Sequence, residues 1–418
     1  MTLNNQRRVV LTGLGSITNL GHDVMSTWAG LLSGRSGISE ITAFEQDDNW
    51  TTRIAGEIRD WDPTDRLDHG EIKKMDRFSQ LAVWAAVEAM EDSGLDWAQG
   101  DPYRRGVVLG SGVGGIQTIE FYAGVLRDKG PRRMSPFTVP KLMVNAGAGN
   151  TSIRYNLRGV NTCPATACAT GGHALAEAYM FIATNQAEFI LAGGAEGAVS
   201  PVCVSAFSAM KALSTRNEEP ELASRPFDKD RDGFVLAEGG AVLAVEELEH
   251  AQARNANIYA EIVGIGITGD AGHIAAPNAA GEGAKAAMKA AIKHAGISPD
   301  QIDYINAHGT STPLGDIAEV SAVKDLFGDH ANSLAMSSTK SCTGHTLGAA
   351  GGLESIAVVK AICDGVMPPT INLDEPDEGF DLNFVANEPQ EREINIALNN
   401  SFGFGGHNVS IAIAAFKD

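Results

Sequence analysis

Ala165-Thr166-Ala167-Cys168-Ala169-Thr170-Gly171-Gly172 stands between an apolar stretch that reads as a strand and residues 174–180 (Ala-Leu-Ala-Glu-Ala-Tyr-Met), which read as a helix. A strand, a tight turn of small residues and a helix make one α/β unit. The order returns later in the chain, where Ser338-Thr339-Lys340-Ser341-Cys342-Thr343-Gly344-His345 lies between a strand at 334–338 and a helical pattern over 349–364. This echo predicts an internal duplication, with turns from both copies converging on one site. Outward from these two stretches, strands are expected at 8–14, 106–110, 188–193 and within 233–248, then at 259–268, 302–307, 394–400 and 409–416. Helices are expected at 283–295 and at 76–92, the latter with Asp76 as N-cap and Ser93-Gly94 as its stop. The polar, alanine-rich segment 246–257 places the boundary between the halves, giving units 1–255 and 256–418.

Cys168 is the candidate nucleophile. At the first turn of a helix it faces unpaired backbone N–H groups and the positive end of the macrodipole, and both favour thiolate over thiol. A lone cysteine among small residues is usually a buried hydrophobe. Two further turns argue otherwise: Asn306-Ala307-His308-Gly309-Thr310-Ser311-Thr312 and the segment ending in His345 each place a histidine among glycines and hydroxyls. One Cys, two His and Lys340 at Gly/Thr-rich strand ends suit thiolate chemistry on an acyl group.

Composition limits the alternatives. With 418 residues the chain exceeds what one core usually serves. It is 44% hydrophobic and 20% charged, as an ordinary soluble protein is. A net charge of −20 disfavours nucleic acid or an anionic membrane as the main partner. Five cysteines with no CxxC spacing suggest neither a zinc site nor a disulfide framework, and a reducing cytoplasm fits. Arg7-Arg8 is not read as an export signal, because the apolar run after it stops at Thr12-Gly13. Gly110-Ser111-Gly112-Val113-Gly114-Gly115 is not read as a nucleotide loop: it lacks the dinucleotide spacing, the following acidic residue and a Walker lysine.

Taken together, these motifs resemble the β-ketoacyl-[acyl-carrier-protein] synthases of the thiolase-fold superfamily, closest to the elongating type II enzymes of fatty acid synthesis. The likeness spans the chain, from Val9-Val10-Leu11-Thr12-Gly13-Leu14-Gly15 through Arg225-Pro226-Phe227-Asp228-Lys229-Asp230-Arg231-Asp232-Gly233-Phe234 to Asn400-Ser401-Phe402-Gly403-Phe404-Gly405-Gly406. It implies a thiolase-like α/β fold, with duplicated halves forming a layered αβαβα sandwich. It implies Cys168 as the acylated nucleophile, His308 and His345 as donors to the malonyl thioester, and Lys340 as a nearby cation. The N–H groups of Cys168 and Phe404 would form the oxyanion hole, with Phe404 as a gate. Val113, Phe207 and Phe402 would border the acyl path, and Thr310 and Thr312 the pantetheine arm.

Substrates would be acyl and malonyl thioesters carried on the phosphopantetheine of acyl carrier protein, with no other cofactor and no metal, in a homodimer. Asn306, Glu354, Asn399 and Asn400 resemble a buried polar cluster that sometimes holds a monovalent cation in relatives, and are read here as structural. An acidic carrier would need a local basic patch on so acidic a chain, and Lys73, Lys74, Arg77, Arg132, Arg133 and Lys211 are the candidates. Ala237 and Ala275 stand where the family more often has glycine and a hydroxyl residue. A ketosynthase of a polyketide or specialised lipid pathway is the nearest alternative. A biosynthetic thiolase is disfavoured, since residues 401–408 contain no cysteine. A subunit without catalysis is disfavoured by the joint presence of Cys168, His308, His345 and Lys340.

Overall fold

The computed structural model describes residues 7–417. The first run of main elements is β1 (Val9–Thr18), α1 (Arg77–Ser93), β2 (Arg105–Gly110), α2 (Ala146–Tyr155), β3 (Asn161–Thr162), α3 (Thr170–Ala183), β4 (Phe189–Glu196) and β5 (Gly239–Glu247). The second is β6 (Ala260–Gly269), α4 (Glu282–Ala295), β7 (Tyr304–Asn306), α5 (Pro313–Phe327), β8 (Ala335–Ser337), α6 (Ala350–Asp364), β9 (Ile396–Gly403) and β10 (His407–Ala415). Both runs read strand, helix, strand, helix, strand, helix, strand, strand. The echo around Cys168 and His345 is therefore a duplication of topology.

Hydrogen bonding joins ten strands in the order β8-β7-β9-β10-β6-β1-β5-β4-β2-β3, which reads identically from either end once the halves are matched. The halves meet where Val9, Val10 and Leu11 of β1 pair antiparallel with Ile262, Glu261 and Ala260 of β6. α1 covers the strands of the first half, and α4 those of the second. The middle helices α3 and α6 pack on strands of both. The result is five layers, αβαβα. The largest apolar cluster lies in the middle and draws on both halves, from Leu11, Leu175 and Ile190 to Ile356, Ile411 and Ile413. Glycine lets the middle helices touch: a Cβ on Gly171 would lie 2.6 Å from the Gly352 nitrogen, and one on Gly351 2.4 Å from that of Gly172.

Local chemistry explains the boundaries. Asp76 caps α1 by accepting the Phe78 N–H, and Gly94 ends it at φ +62°. The strand expected before Cys168 shrinks to β3, two residues paired with Val107 and Val108. Pro164, which has no N–H to offer a ladder, stands just beyond it. No helix of the described residues is long and apolar enough to cross a membrane.

Candidate active site

The two middle helices are entered through matching turns, Ala167–Ala169 before α3 and Leu347–Ala349 before α6. Each begins with a residue that lacks glycine's freedom yet adopts positive φ, Ala167 at +52° and Leu347 at +45°. Such backbone is sparsely populated and persists only where its surroundings impose it. In the first turn it presents Cys168 to a cavity of about 620 Å³. Gly403 makes this possible from the other side, since a Cβ there would meet the Thr166 carbonyl oxygen at 2.5 Å and the Cys168 nitrogen at 3.2 Å.

Cys168, His308, His345, Phe402, Phe404, Val113, Phe207, Thr310, Thr312 and Lys211 all line this one cavity. The His308 and His345 rings stand edge to face at 5.3 Å. Lys340 is buried behind them: its ammonium donates to the His308 carbonyl oxygen at 2.6 Å, to Glu354 Oε1, and to His308 Nδ1 at 3.4 Å. An ammonium can only donate, so Nδ1 accepts and the His308 proton sits on Nε2. Neither ring nitrogen of His345 has a hydrogen-bond partner among the described residues. Burial, then the neighbouring Lys340 charge, hold both imidazoles well below their usual pKa, so both are neutral. Thr310 and Thr312 bond each other at 3.0 Å, and Thr312 caps α5 by accepting the Gly315 N–H at 3.2 Å. Phe207 and Phe404 meet at 6.4 Å.

Helix-start stabilisation does not leave Cys168 a resting thiolate. Burial pushes its thiol up to about 12, against the pull of Lys340 and of the Phe404 and Cys168 N–H groups that bond its sulfur. Desolvation wins because the residue is enclosed. Those two N–H groups converge on Sγ from either side of the turn.

Among the basic residues proposed for docking, Lys73, Lys74, Arg132, Arg133 and Lys211 are exposed. Arg77 is partly exposed and already engaged: its guanidinium grips Glu238 through two bonds of 2.7 Å, donates to the Ile58 carbonyl and covers the Trp61 ring. The polar cluster behind the site holds three buried oxygens without partners among the described residues, on Asn306, Glu354 and Asn399, while Asn400 bonds Ser410 and Glu319. No group of three or more His, Cys, Asp or Glu among the described residues is arranged to hold a metal.

Two buried carboxylates near the cavity escaped the sequence reading. Glu319 accepts the His308 N–H at 2.9 Å and the Gly309 N–H at 2.8 Å, and so holds the histidine's loop. Glu196 does the same for Gly112 and Val113. An acidic residue closing the apolar run of β4 was the available signal for Glu196.

Family models match the chain in two consecutive stretches, the β-ketoacyl synthase N-terminal domain over residues 6–251 and its C-terminal domain over 259–374. The chain belongs to the β-ketoacyl synthase family. It is 51% identical to 3-oxoacyl-[acyl-carrier-protein] synthase 2 of Coxiella burnetii, covering 99% of this chain and all of the relative. It is 46% identical to the enzyme of that name from Synechocystis, with 99% of each chain covered. Among solved structures, a β-ketoacyl synthase from Burkholderia phymatum superimposes with a TM-score of 0.90 at 35% identity, over 98% of this chain and all of that one. A type II polyketide ketosynthase, described as bound to its acyl-carrier protein, superimposes at 0.91 with 32% identity, over 99% of this chain and all of that one.

Proposed function

We propose that this synthase is a 3-oxoacyl-[acyl-carrier-protein] synthase that lengthens acyl chains by two carbons through decarboxylative condensation with a malonyl thioester. The observation that carries the reading is one cavity in which a thiol on a strained turn faces two neutral imidazoles and two convergent N–H groups.

In the first step the Cys168 sulfur attacks the acyl thioester carbonyl. The acyl group moves to Sγ, and the carrier thiol leaves with the proton that the cysteine gives up. The N–H groups of Cys168 and Phe404 receive the oxyanion. In the second step the malonyl thioester loses carbon dioxide, and the electron pair of the broken C–C bond becomes an enolate. His308 and His345 donate to its oxygen. Neutral imidazoles suit this role, because they donate a hydrogen bond without handing over a proton that would quench the carbon nucleophile. The enolate carbon attacks the acyl carbonyl on Cys168, the C–S bond breaks, and the thiolate regains one proton. No cofactor acts beyond the phosphopantetheine arm, which Thr310 and Thr312 would hold.

An acidic carrier protein would dock on the exposed Lys73, Lys74, Arg132, Arg133 and Lys211. A second copy of the chain would cover exposed apolar side chains such as Phe121, 65% exposed, and Ile153, 81% exposed, and leave Arg132 and Arg133 open to the carrier. The protein would work in the cytoplasm. The test is intact-mass detection of an acyl adduct on Cys168 with carrier-bound substrate, followed by its discharge as the two-carbon-longer product when malonyl carrier is added. Condensation assayed over a graded series of acyl lengths separates this role from a polyketide ketosynthase.

A further inference from the structure

Glu196 closes β4 and is fully buried. Its Oε1 accepts the Ser111 hydroxyl at 2.7 Å and the Val113 N–H at 3.2 Å, and its Oε2 accepts the Gly112 N–H at 2.7 Å and the Gly348 N–H at 3.0 Å. Three of the four partners are amides, which can only donate. The Ser111 oxygen is itself engaged as acceptor of the Gly114 N–H at 2.9 Å. The set matches a carboxylate anion, although burial opposes the charge. Among the described residues no Lys or Arg bonds it.

What the four bonds join matters more than their number. Ser111, Gly112 and Val113 follow β2 in the first half, whereas Gly348 belongs to the turn before α6 in the second. Val113 and Leu347, the latter next to Gly348, both line the cavity at Cys168. The fit leaves no slack: a Cβ on Gly112 would lie 2.9 Å from Glu196 Oε2, and one on Gly348 2.5 Å from the Gly112 nitrogen.

We propose that Glu196 is a positioning residue for the acyl chain: by tying the Val113 turn to the Leu347 turn it sets the spacing of two cavity walls, one from each half. The inference rests on the acyl-transfer reading above. Its negative charge also opposes ionisation of Cys168, a separate effect with a separate readout.

The test compares wild type with Glu196→Gln. The carboxamide keeps the shape but turns an NH₂ toward groups that only donate, so the walls should shift. We expect kcat/KM for a two-carbon acyl carrier to stay within about threefold of wild type and that for a twelve-carbon one to fall about tenfold or more, because only the longer chain uses both walls. Alkylation of Cys168 by iodoacetamide at fixed pH should become faster, since a nearby negative charge is gone. Equal loss at all chain lengths with unchanged alkylation would mean a merely structural role and overturn the proposal. Ser111→Ala guards against a variant that fails to fold: it keeps the charge and all three amide bonds, so a smaller but still length-dependent loss supports the proposal and an unchanged length profile overturns it. If wild-type Cys168 forms no acyl adduct, the acyl-transfer reading falls and takes this inference with it. An adduct with an unaltered length profile in both variants removes the inference alone.

Discussion

The turn at Ala167–Ala169 and the turn at Leu347–Ala349 are the same backbone device used twice. Each follows a short strand, forces a residue other than glycine into positive φ and opens a middle helix. One carries Cys168 at its apex and the other Gly348. The loops after β2 and β7 repeat the lesson, because each has two successive N–H groups gripped by a buried carboxylate, Glu196 for Gly112 and Val113, Glu319 for His308 and Gly309. The first loop presents a wall to the cavity, and the second presents an imidazole. Duplication supplied two equivalent frames, and the chemistry rests on which side chain each frame holds.

Emptying the first apex should have the largest effect. Cys168→Ala should abolish condensation and any acyl adduct by intact mass, while malonyl decarboxylation survives because His308 and His345 are untouched. With the thiol pushed up to about 12, alkylation of wild-type Cys168 should keep rising steeply between pH 8 and 10, since thiolate forms only as pH approaches the raised value.

Emptying the second frame comes next. His308→Ala or His345→Ala should lower carbon dioxide release by about 10²–10³ and leave acylation of Cys168 measurable. Their pKa values are lowered, so the working neutral form persists as pH falls through the ordinary 6.5, and decarboxylation should decline only in more acid solution. A decline centred near 6.5 would contradict neutral, buried imidazoles.

A third test asks whether the second apex is merely vacant. A Cβ at Gly348 would sit 2.5 Å from the Gly112 nitrogen, so Gly348→Ala should cost about 1–3 kcal/mol by denaturant unfolding, whereas Cys168→Ala should be nearly neutral. The smallest effect concerns the rim. Lys74→Glu with Arg133→Glu should raise KM for carrier-bound substrate a few-fold, less at high salt, and leave a small pantetheine thioester unaffected. Equal impairment with both substrates would remove the patch from docking.

Much of this was legible in the residues. Asp76 and Gly94 announced α1, and the paired Gly/Thr turns announced the duplication, because caps and turns are local chemistry. Lys340 in a run of small hydroxyl residues was recognisable as an unlikely surface lysine. What stayed hidden depends on enclosure. A helix start argued for a Cys168 thiolate, and only the surrounding shell shows that desolvation outweighs it. Arg77 looked like part of a basic cluster with Lys73 and Lys74, but the next helix begins there and turns it to Glu238, some 160 residues away. Glu196 and Glu319 were missed because most of their partners are backbone N–H groups, which a sequence does not single out, and the acidic end of β4 pointed to Glu196 without showing what it holds.

The seam between β1 and β6 has a consequence for how the chain is made. Val9 must find Ile262, and the middle helices α3 and α6 bury their apolar faces only when both halves are present. Such pairings close loops of roughly 250 residues and place the fold among topologies that assemble slowly through populated intermediates. During synthesis the first half emerges with α3 still uncovered on the side that α6 will occupy. A ribosome-bound chain halted near residue 255 should therefore bind hydrophobic dyes and chaperones, and release them once β10 has been added.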